Sequence, residues 1–148
     1  MARQPVRPDV LVKPFPRGFP HRQEFTAVAG LVRDRRGRIL LVRHGPGTPW
    51  RGRWATPGGL VRPKEGPVTA LLREVREECG VRLRRIVLRR IVVMRDRRAK
   101  RTSLTLIFVA SVVPGSRPKA KRGDPVLEAR WFERLPAKMA FRDEYADL

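Results

Sequence analysis

The chain has 148 residues, 41% of them hydrophobic and 32% charged, so it is long enough to form one domain with a buried core. No segment approaches the ~20 consecutive apolar residues of a membrane-spanning helix, and no membrane association is expected. The formal net charge is +20, from 34 lysines and arginines against 14 aspartates and glutamates. Such a charge favours polyanionic partners, nucleotides or nucleic acid, although an arginine-rich composition alone would also produce it.

The N-terminal part of the chain predicts an extended arm over residues 1–24, followed by a domain over residues 25–148. Five of the 14 prolines fall in these first 24 residues, which carry charge but lack the apolar core of a secretory signal. The single cysteine excludes an internal disulfide and is typical of a reducing compartment, so a cytoplasmic location is expected. The arm is expected to lie on the domain or on a second copy of the chain, which leaves a homodimer open. Its apolar residues are Val10, Leu11, Val12, Phe15 and Phe19.

Five apolar runs predict strands, and they span residues 25–33, 38–43, 81–94, 103–113 and 126–132. The first two runs are joined by Asp34-Arg35-Arg36-Gly37, which predicts a hairpin, and the basic residues 95–101 are expected to form the turn between the two longest strands. A Pro/Gly loop leads to Trp54, which is expected to anchor the core, and residues 137–148 suggest a final helix. His21 and His44 lack metal-ligand spacing and are expected at the surface.

The segment Pro67–Cys79 predicts a helix that begins at a proline and ends before Gly80. Val68, Leu71, Leu72, Val75 and Cys79 recur at helical spacing and predict its buried stripe, with Cys79 as a packing residue. A helix between strands, with hairpins on either side, is an α+β pattern with a mixed sheet.

Three glutamates of this helix, Glu74, Glu77 and Glu78, fall on a second face at about 100° per residue. Such a cluster repels itself unless cations neutralise it, and hard carboxylate oxygens suit Mg²⁺ or Mn²⁺. The alternative is a solvated acidic face held by pairs such as Arg73 with Glu77, four residues apart.

The spacing of acidic residues and glycines extends well beyond the helix. Gly59 is followed after five residues by Glu65, and after seven more by the run REVREECGV, residues 73–81. The segment thereby resembles the box G-x5-E-x7-R-E-U-x-E-E-x-G-U of the Nudix hydrolases at every defined position, where U is a bulky aliphatic residue. The resemblance covers residues 25–136 and implies an α/β/α sandwich with a central mixed sheet. Only twelve residues follow Pro136, so the second helical layer is expected to be short.

The resemblance also implies a catalytic site. The metal ligands would be the carbonyl of Gly58 and the carboxylates of Glu74, Glu77 and Glu78. Arg73 would orient Glu65 or Glu77 and would not touch the substrate. The general base would be Glu74 or Glu128, and Glu128 could equally be an ordinary surface residue.

The implied reaction is hydrolysis of a pyrophosphate bond in a nucleoside diphosphate derivative. The proline that ADP-ribose enzymes of the family carry about fifteen positions after the box is missing here, since the first proline after the box is Pro114. The expected substrate is therefore a nucleoside triphosphate, normal or oxidised, cleaved to monophosphate and pyrophosphate. A 5′-triphosphorylated RNA end and a non-catalytic nucleotide- or nucleic-acid-binding module are the alternatives.

Overall fold

A computed structural model describes residues 6–19, 23–48, 50–120 and 125–148. His21 therefore lies outside the described residues. The elements, in chain order, are β1 (Asp9–Pro14), β2 (Thr26–Arg33), β3 (Ile39–His44), β4 (Trp54–Ala55), β5 (Gly58–Leu60), α1 (Pro67–Cys79), β6 (Leu83–Asp96), β7 (Arg101–Val112), β8 (Val126–Phe132) and a 3₁₀ turn (Arg142–Tyr145).

The strands form one mixed sheet in the order β1-β6-β7-β2-β3-β4, with β5 paired to β2 and β8 paired to β3. β1 runs parallel to β6, and β2 runs parallel to β7. The remaining pairs are antiparallel, including the long β6–β7 hairpin whose turn is the basic segment. The predicted mixed sheet and its strands are confirmed, to within a few residues at each end.

The helix begins and ends at the predicted residues. Pro67 occupies its first turn, and Gly80 takes the left-handed conformation (φ 69°) that lets its N–H bond the carbonyl of Arg76. The predicted buried stripe is partly wrong: Val68 and Leu72 are 43% and 41% exposed. The stripe is rotated toward Ala70, so the side chains packed on the sheet are Ala70, Leu71, Val75 and Cys79.

The core divides into two clusters, one on each face of the sheet. The first contains the buried face of α1, including Cys79, packed on Val28, Val32 and Leu40. The second contains Leu31, Ile107 and the C-terminal side chains Met139 and Tyr145. Burial on both faces fixes the register of the sheet, since a slip by one residue would exchange the two sets of side chains.

The C-terminal helix predicted over residues 137–148 is wrong. Within residues 125–148 the structure has only turns and the single 3₁₀ turn Arg142–Tyr145 after Pro136. Phe141 precedes this turn with φ 54°, a left-handed conformation that interrupts a regular helix. The second layer is therefore a compact coil anchored by Met139 and Tyr145.

The N-terminal arm contributes an edge strand to the domain. β1 pairs with β6 along its whole length, from Asp9 opposite Arg90 to Pro14 opposite Arg95. Val10 and Val12 are 61% and 55% exposed, whereas the other predicted apolar contacts of the arm, Leu11, Phe15 and Phe19, pack on the second core cluster.

Candidate active site

The strand β5 brings the main chain of two glycines against β2 and α1. A Cβ atom on Gly58 would collide with the carbonyl of Val28, and a Cβ atom on Gly59 would lie 2.5 Å from Oε1 of Glu74. Only glycine permits so close an approach at these positions. The two glycines therefore let the Glu74 carboxylate lie directly against the main chain of β5.

Arg73 organises the acidic residues of the box. Its guanidinium donates two hydrogen bonds to Glu65, at 2.7 and 2.8 Å, and one to the carbonyl of Leu60 at 3.1 Å. It also donates to Glu74 at 2.9 Å and to Glu77 at 3.4 Å. The bonds from Arg73 to Glu65, together with the N–H of Arg62, lower the pKa of Glu65 to about 2. Arg73 thus contacts both of the glutamates that the sequence suggested it would orient.

Glu74 and Glu78 form a carboxyl pair one helical turn apart, in which Glu78 is buried and Glu74 is partly buried. Glu78 is only 8% exposed, and its Oε2 accepts the N–H of Gly58 at 3.4 Å. Glu74 lies one turn earlier on α1, with its carboxyl group against the main chain of Gly59. Burial raises the pKa of Glu74 above its ordinary value, against the opposing effect of the Arg73 guanidinium. Cations relieve the repulsion between two carboxylates on one helix face, and the Arg73 guanidinium supplies one of them beside Glu74.

This donor set fits a hard divalent cation such as Mg²⁺ or Mn²⁺. The pair Glu74–Glu78 offers carboxylate oxygens, and the main chain of Gly58 lies within hydrogen-bonding distance of Glu78. Across the described residues, no three histidine, cysteine or acidic side chains already stand together as a metal site. The Arg73 guanidinium instead bridges Glu74 and Glu77, since one of its nitrogens donates to both carboxylates.

Of the other two predicted site residues, Glu77 is linked to Glu74 through the Arg73 guanidinium, whereas Glu128 lies apart on β8. Glu77 is half exposed, with Arg73 at 3.4 Å and Arg62 at 4.0 Å from its oxygens. Glu128 lies on β8, where it forms ion pairs with Arg43 at 3.3 Å and Arg130 at 3.8 Å. These contacts are those of a surface carboxylate, and a catalytic role of Glu128 stays a prediction.

A cavity of about 320 Å³ opens beside the two glycines. Gly58, Gly59 and Leu60 form one side of it, and aromatic side chains form much of the rest. Trp50 contacts Phe141 edge to face, with ring centres 4.6 Å apart, and Phe19 lies 5.7 Å from Phe25 in a stacked arrangement. A largely apolar cavity with aromatic walls is typical of a site for a flat organic ligand.

A few polar side chains converge on this cavity, namely His44, Thr48, Thr56, Glu144 and Tyr145. The Tyr145 hydroxyl and Thr56 Oγ1 are 2.6 Å apart and buried, and burial raises the pKa of Tyr145. Glu144 is also buried, and burial raises its pKa although Lys13 lies nearby. His44 was expected at the surface, but it is half-buried in the wall of the cavity.

Sequence reasoning named Phe19, Gly58 and Gly59 but did not identify the cavity or most of the residues that line it. It singled out Trp54, which packs in the second core cluster and contacts Phe132 edge to face as a core anchor does. Trp50, Phe141 and Glu144 instead come from a loop and from the C-terminal coil, which have no periodic pattern. The only available signal was the clustering of aromatic and acidic residues in the segment AFRDEY, residues 140–145.

Comparisons with known proteins agree with one another. A family model described as the NUDIX domain matches residues 23–146. The chain is 32% identical over 120 residues to an ADP-ribose pyrophosphatase from Methanocaldococcus jannaschii, a match that covers 80% of this chain and 68% of that protein. It is 39% identical over 54 residues to a CTP pyrophosphohydrolase from Escherichia coli, which covers 36% of this chain and 40% of that protein.

Solved structures show the same architecture. The crystal structure of a MutT NUDIX hydrolase from Burkholderia pseudomallei matches with a TM-score of 0.67 and 28% sequence identity, over 80% of this chain and 92% of that chain. The family match begins at residue 23, so the strand β1 and the side chain of Phe19 lie outside it.

Proposed function

This chain belongs to the Nudix hydrolase family, and we propose that it hydrolyses a nucleoside triphosphate, normal or oxidised, to the monophosphate and pyrophosphate. One observation carries the proposal: the main chain of Gly58 and Gly59 forms a wall shared by the aromatic cavity and the Glu74–Glu78 pair. A nucleotide lying across this wall would have its base among aromatic rings and its phosphates beside the carboxylates.

The carboxylates would act together with a divalent cation. Mg²⁺ or Mn²⁺ held by Glu74, Glu77, Glu78 and the carbonyl of Gly58 would neutralise phosphate charge and acidify the attacking water. Arg73 would keep Glu74 and Glu77 in position, as its hydrogen bonds to both indicate.

A general base completes the proposed reaction. The oxygen of water forms a bond to phosphorus, the bridging P–O bond breaks with pyrophosphate as leaving group, and a carboxylate accepts the proton. Glu74 is our first candidate for this role, because its carboxyl group lies between the Arg73 guanidinium and the main chain of Gly59, which forms part of the cavity wall. Glu128 is the alternative, although its ion pairs with Arg43 and Arg130 hold it on β8, outside the residues that line the cavity.

A second candidate substrate is ADP-ribose, since the relative with the longest match here is named an ADP-ribose pyrophosphatase. The shorter match to a CTP pyrophosphohydrolase supports the triphosphate. Both reactions cleave a pyrophosphate bond, so the same carboxylates would serve either. They differ in products: ADP-ribose would give AMP and ribose 5-phosphate, whereas a triphosphate would release pyrophosphate.

The direct experiment is a substrate panel with Mg²⁺ or Mn²⁺, with products separated by chromatography. We expect turnover of a nucleoside triphosphate with release of pyrophosphate. Faster turnover of ADP-ribose would show that ADP-ribose, and not a triphosphate, is the preferred substrate. Preferential cleavage of 5′-triphosphorylated RNA would indicate that the basic surface binds the RNA substrate. Binding of nucleotide without turnover of any substrate would indicate the non-catalytic module.

The site of action is proposed to be the cytoplasm, where nucleotides and reducing conditions are found. The free, buried Cys79 is compatible with this location. In the described part of the chain, no helix has both the length and the apolar character needed to cross a membrane.

A further inference from the structure

The segment of residues 13–19 lies before the region that matches the family, yet it contributes to the cavity. Pairing of β1 with β6 places Lys13 opposite Met94, a residue that lines the cavity. The chain then turns, with the N–H of Phe19 bonded to the carbonyl of Pro16 at 3.1 Å. This turn returns the Phe19 ring to the cavity wall beside Phe25 and Trp50.

Lys13 provides the second contribution of this segment. Its ammonium lies 3.3 Å from Oε1 of Glu144 and 2.7 Å from Oδ2 of Asp143. The Glu144 side chain is only 4% exposed, whereas Asp143 is 67% exposed. A carboxylate buried to that degree needs a cation close by to remain charged. Within the part of the chain that the structure describes, Lys13 is the side-chain cation paired with Glu144.

Glu144 is also the only carboxylate among the described residues that line the cavity. An ionised carboxylate accepts hydrogen bonds and cannot donate them. In the cavity, the Glu144 carboxylate would accept a hydrogen bond from an N–H of the base and would repel a carbonyl oxygen at the same position. Two comparisons test this difference. Cytosine has an amino group where uracil has a carbonyl, and adenine has an amino group where hypoxanthine has a carbonyl.

We propose that residues 13–19 complete the base-binding half of the cavity. Phe19 forms part of its aromatic wall, Lys13 acts as a positioning residue that holds Glu144 charged and in place, and Glu144 selects bases that present an amino group. This inference rests on the proposed function, because it takes the cavity to hold the base of the substrate.

The test compares kcat/KM for CTP against UTP and for ATP against ITP in the full chain. We expect the wild type to prefer the amino member of each pair, and Glu144→Gln to reduce that preference at least about tenfold, because a site built around a polar contact discriminates through it. Lys13→Met should reduce it similarly, and Lys13→Arg should restore it. Phe19→Ala should raise KM with kcat changed less, since stacking contributes uniform binding.

Val10→Thr is the matched control on the same strand. It changes a side chain that is 61% exposed and does not line the cavity. We expect it to keep the wild-type preference, and melting curves of all variants show whether each is folded. Wild-type preference in both Glu144→Gln and Lys13→Met would overturn the proposal.

Binding experiments separate this proposal from the proposed function. If the wild type hydrolyses none of the four triphosphates, the proposed function fails, and calorimetry with CMP and UMP then tests the cavity by itself. Tighter binding of CMP that is lost in Glu144→Gln would support the role of Glu144. Equal affinities for the two in the wild type would refute it.

Discussion

The Glu74 carboxylate lies so close to the main chain of Gly59 that a Cβ atom at residue 59 would stand 2.5 Å from its Oε1 and 2.6 Å from its Cδ. The obstructing atoms are the end of a side chain, which can move aside. Replacement of Gly59 should therefore disturb the position of Glu74 more than the stability of the fold.

We predict that Gly59→Ala lowers kcat on the order of tenfold or more, because small displacements of a catalytic group are costly, while the melting temperature changes little. Gly66→Ala is the matched control. Gly66 precedes α1 with ordinary backbone angles, and a Cβ atom there would meet open space. Equal activity of the two variants would show that the position of Glu74 does not matter.

The Arg73–Glu65 contact predicts a specific acid dependence of stability. The folded-state pKa of Glu65 is lowered from 4.5 to about 2, so its stabilising contribution is fully present above pH 4.5 and is lost as the pH falls toward 2. The melting-temperature difference between wild type and Glu65→Gln should therefore shrink over that interval. A difference that stays constant from pH 6 to pH 2 would contradict the linkage.

The arm should stabilise the domain because β1 pairs with β6 and its apolar residues Leu11, Phe15 and Phe19 are packed in the second core cluster. Deletion of residues 1–22 should lower the melting temperature by several degrees, since burial of each large apolar side chain contributes about 1.5–3 kcal/mol. Calorimetry measures this change. Val10 and Val12 are exposed on this edge strand, which suggests a homodimer, and light scattering tests it by measuring the mass. Unchanged melting and mass would mean that the arm is dispensable.

The basic turn offers a test of nucleic-acid binding. Arg97 and Arg98 are exposed, whereas Arg101 lies over the Phe15 ring at 3.9 Å and is structural. We predict that Arg97→Ser with Arg98→Ser leaves mononucleotide KM within about twofold, because neither residue lines the cavity. If the turn binds RNA, the log–log salt slope of binding should fall by about 0.7 for each lost phosphate contact. A salt slope equal to that of the wild type would indicate that the turn does not contact RNA and that its positive charge reflects the arginine-rich composition of the chain.

The fold could largely be predicted because its signals are local. The apolar runs specify the strands, and Pro67 and Gly80 mark the ends of the helix. The final helix was predicted wrongly because a segment of twelve residues without caps depends on tertiary packing, here that of Met139 and Tyr145.

The carboxylate half and the cavity half of the candidate site also differ in how far the sequence could predict them. The glutamates Glu74, Glu77 and Glu78 lie within one helix, so their proximity follows from helical geometry. The cavity joins Phe19, Trp50 and Glu144, which are remote in sequence and meet only through sheet pairing and the C-terminal coil. No spacing rule relates such residues, and the pairing of Lys13 with Glu144 was likewise not predictable.

The most direct test of the account is the rate of pyrophosphate release by wild type, Glu78→Gln and Glu133→Gln, each with Mg²⁺ and with excess EDTA. Glu133 is an exposed glutamate outside the box and provides the matched control. We predict that turnover requires the metal, that Glu133→Gln matches the wild type, and that Glu78→Gln loses at least about 10²-fold in rate, since a catalytic metal supplies several kcal/mol. Wild-type turnover in Glu78→Gln, or full activity in EDTA, would contradict the carboxylate site.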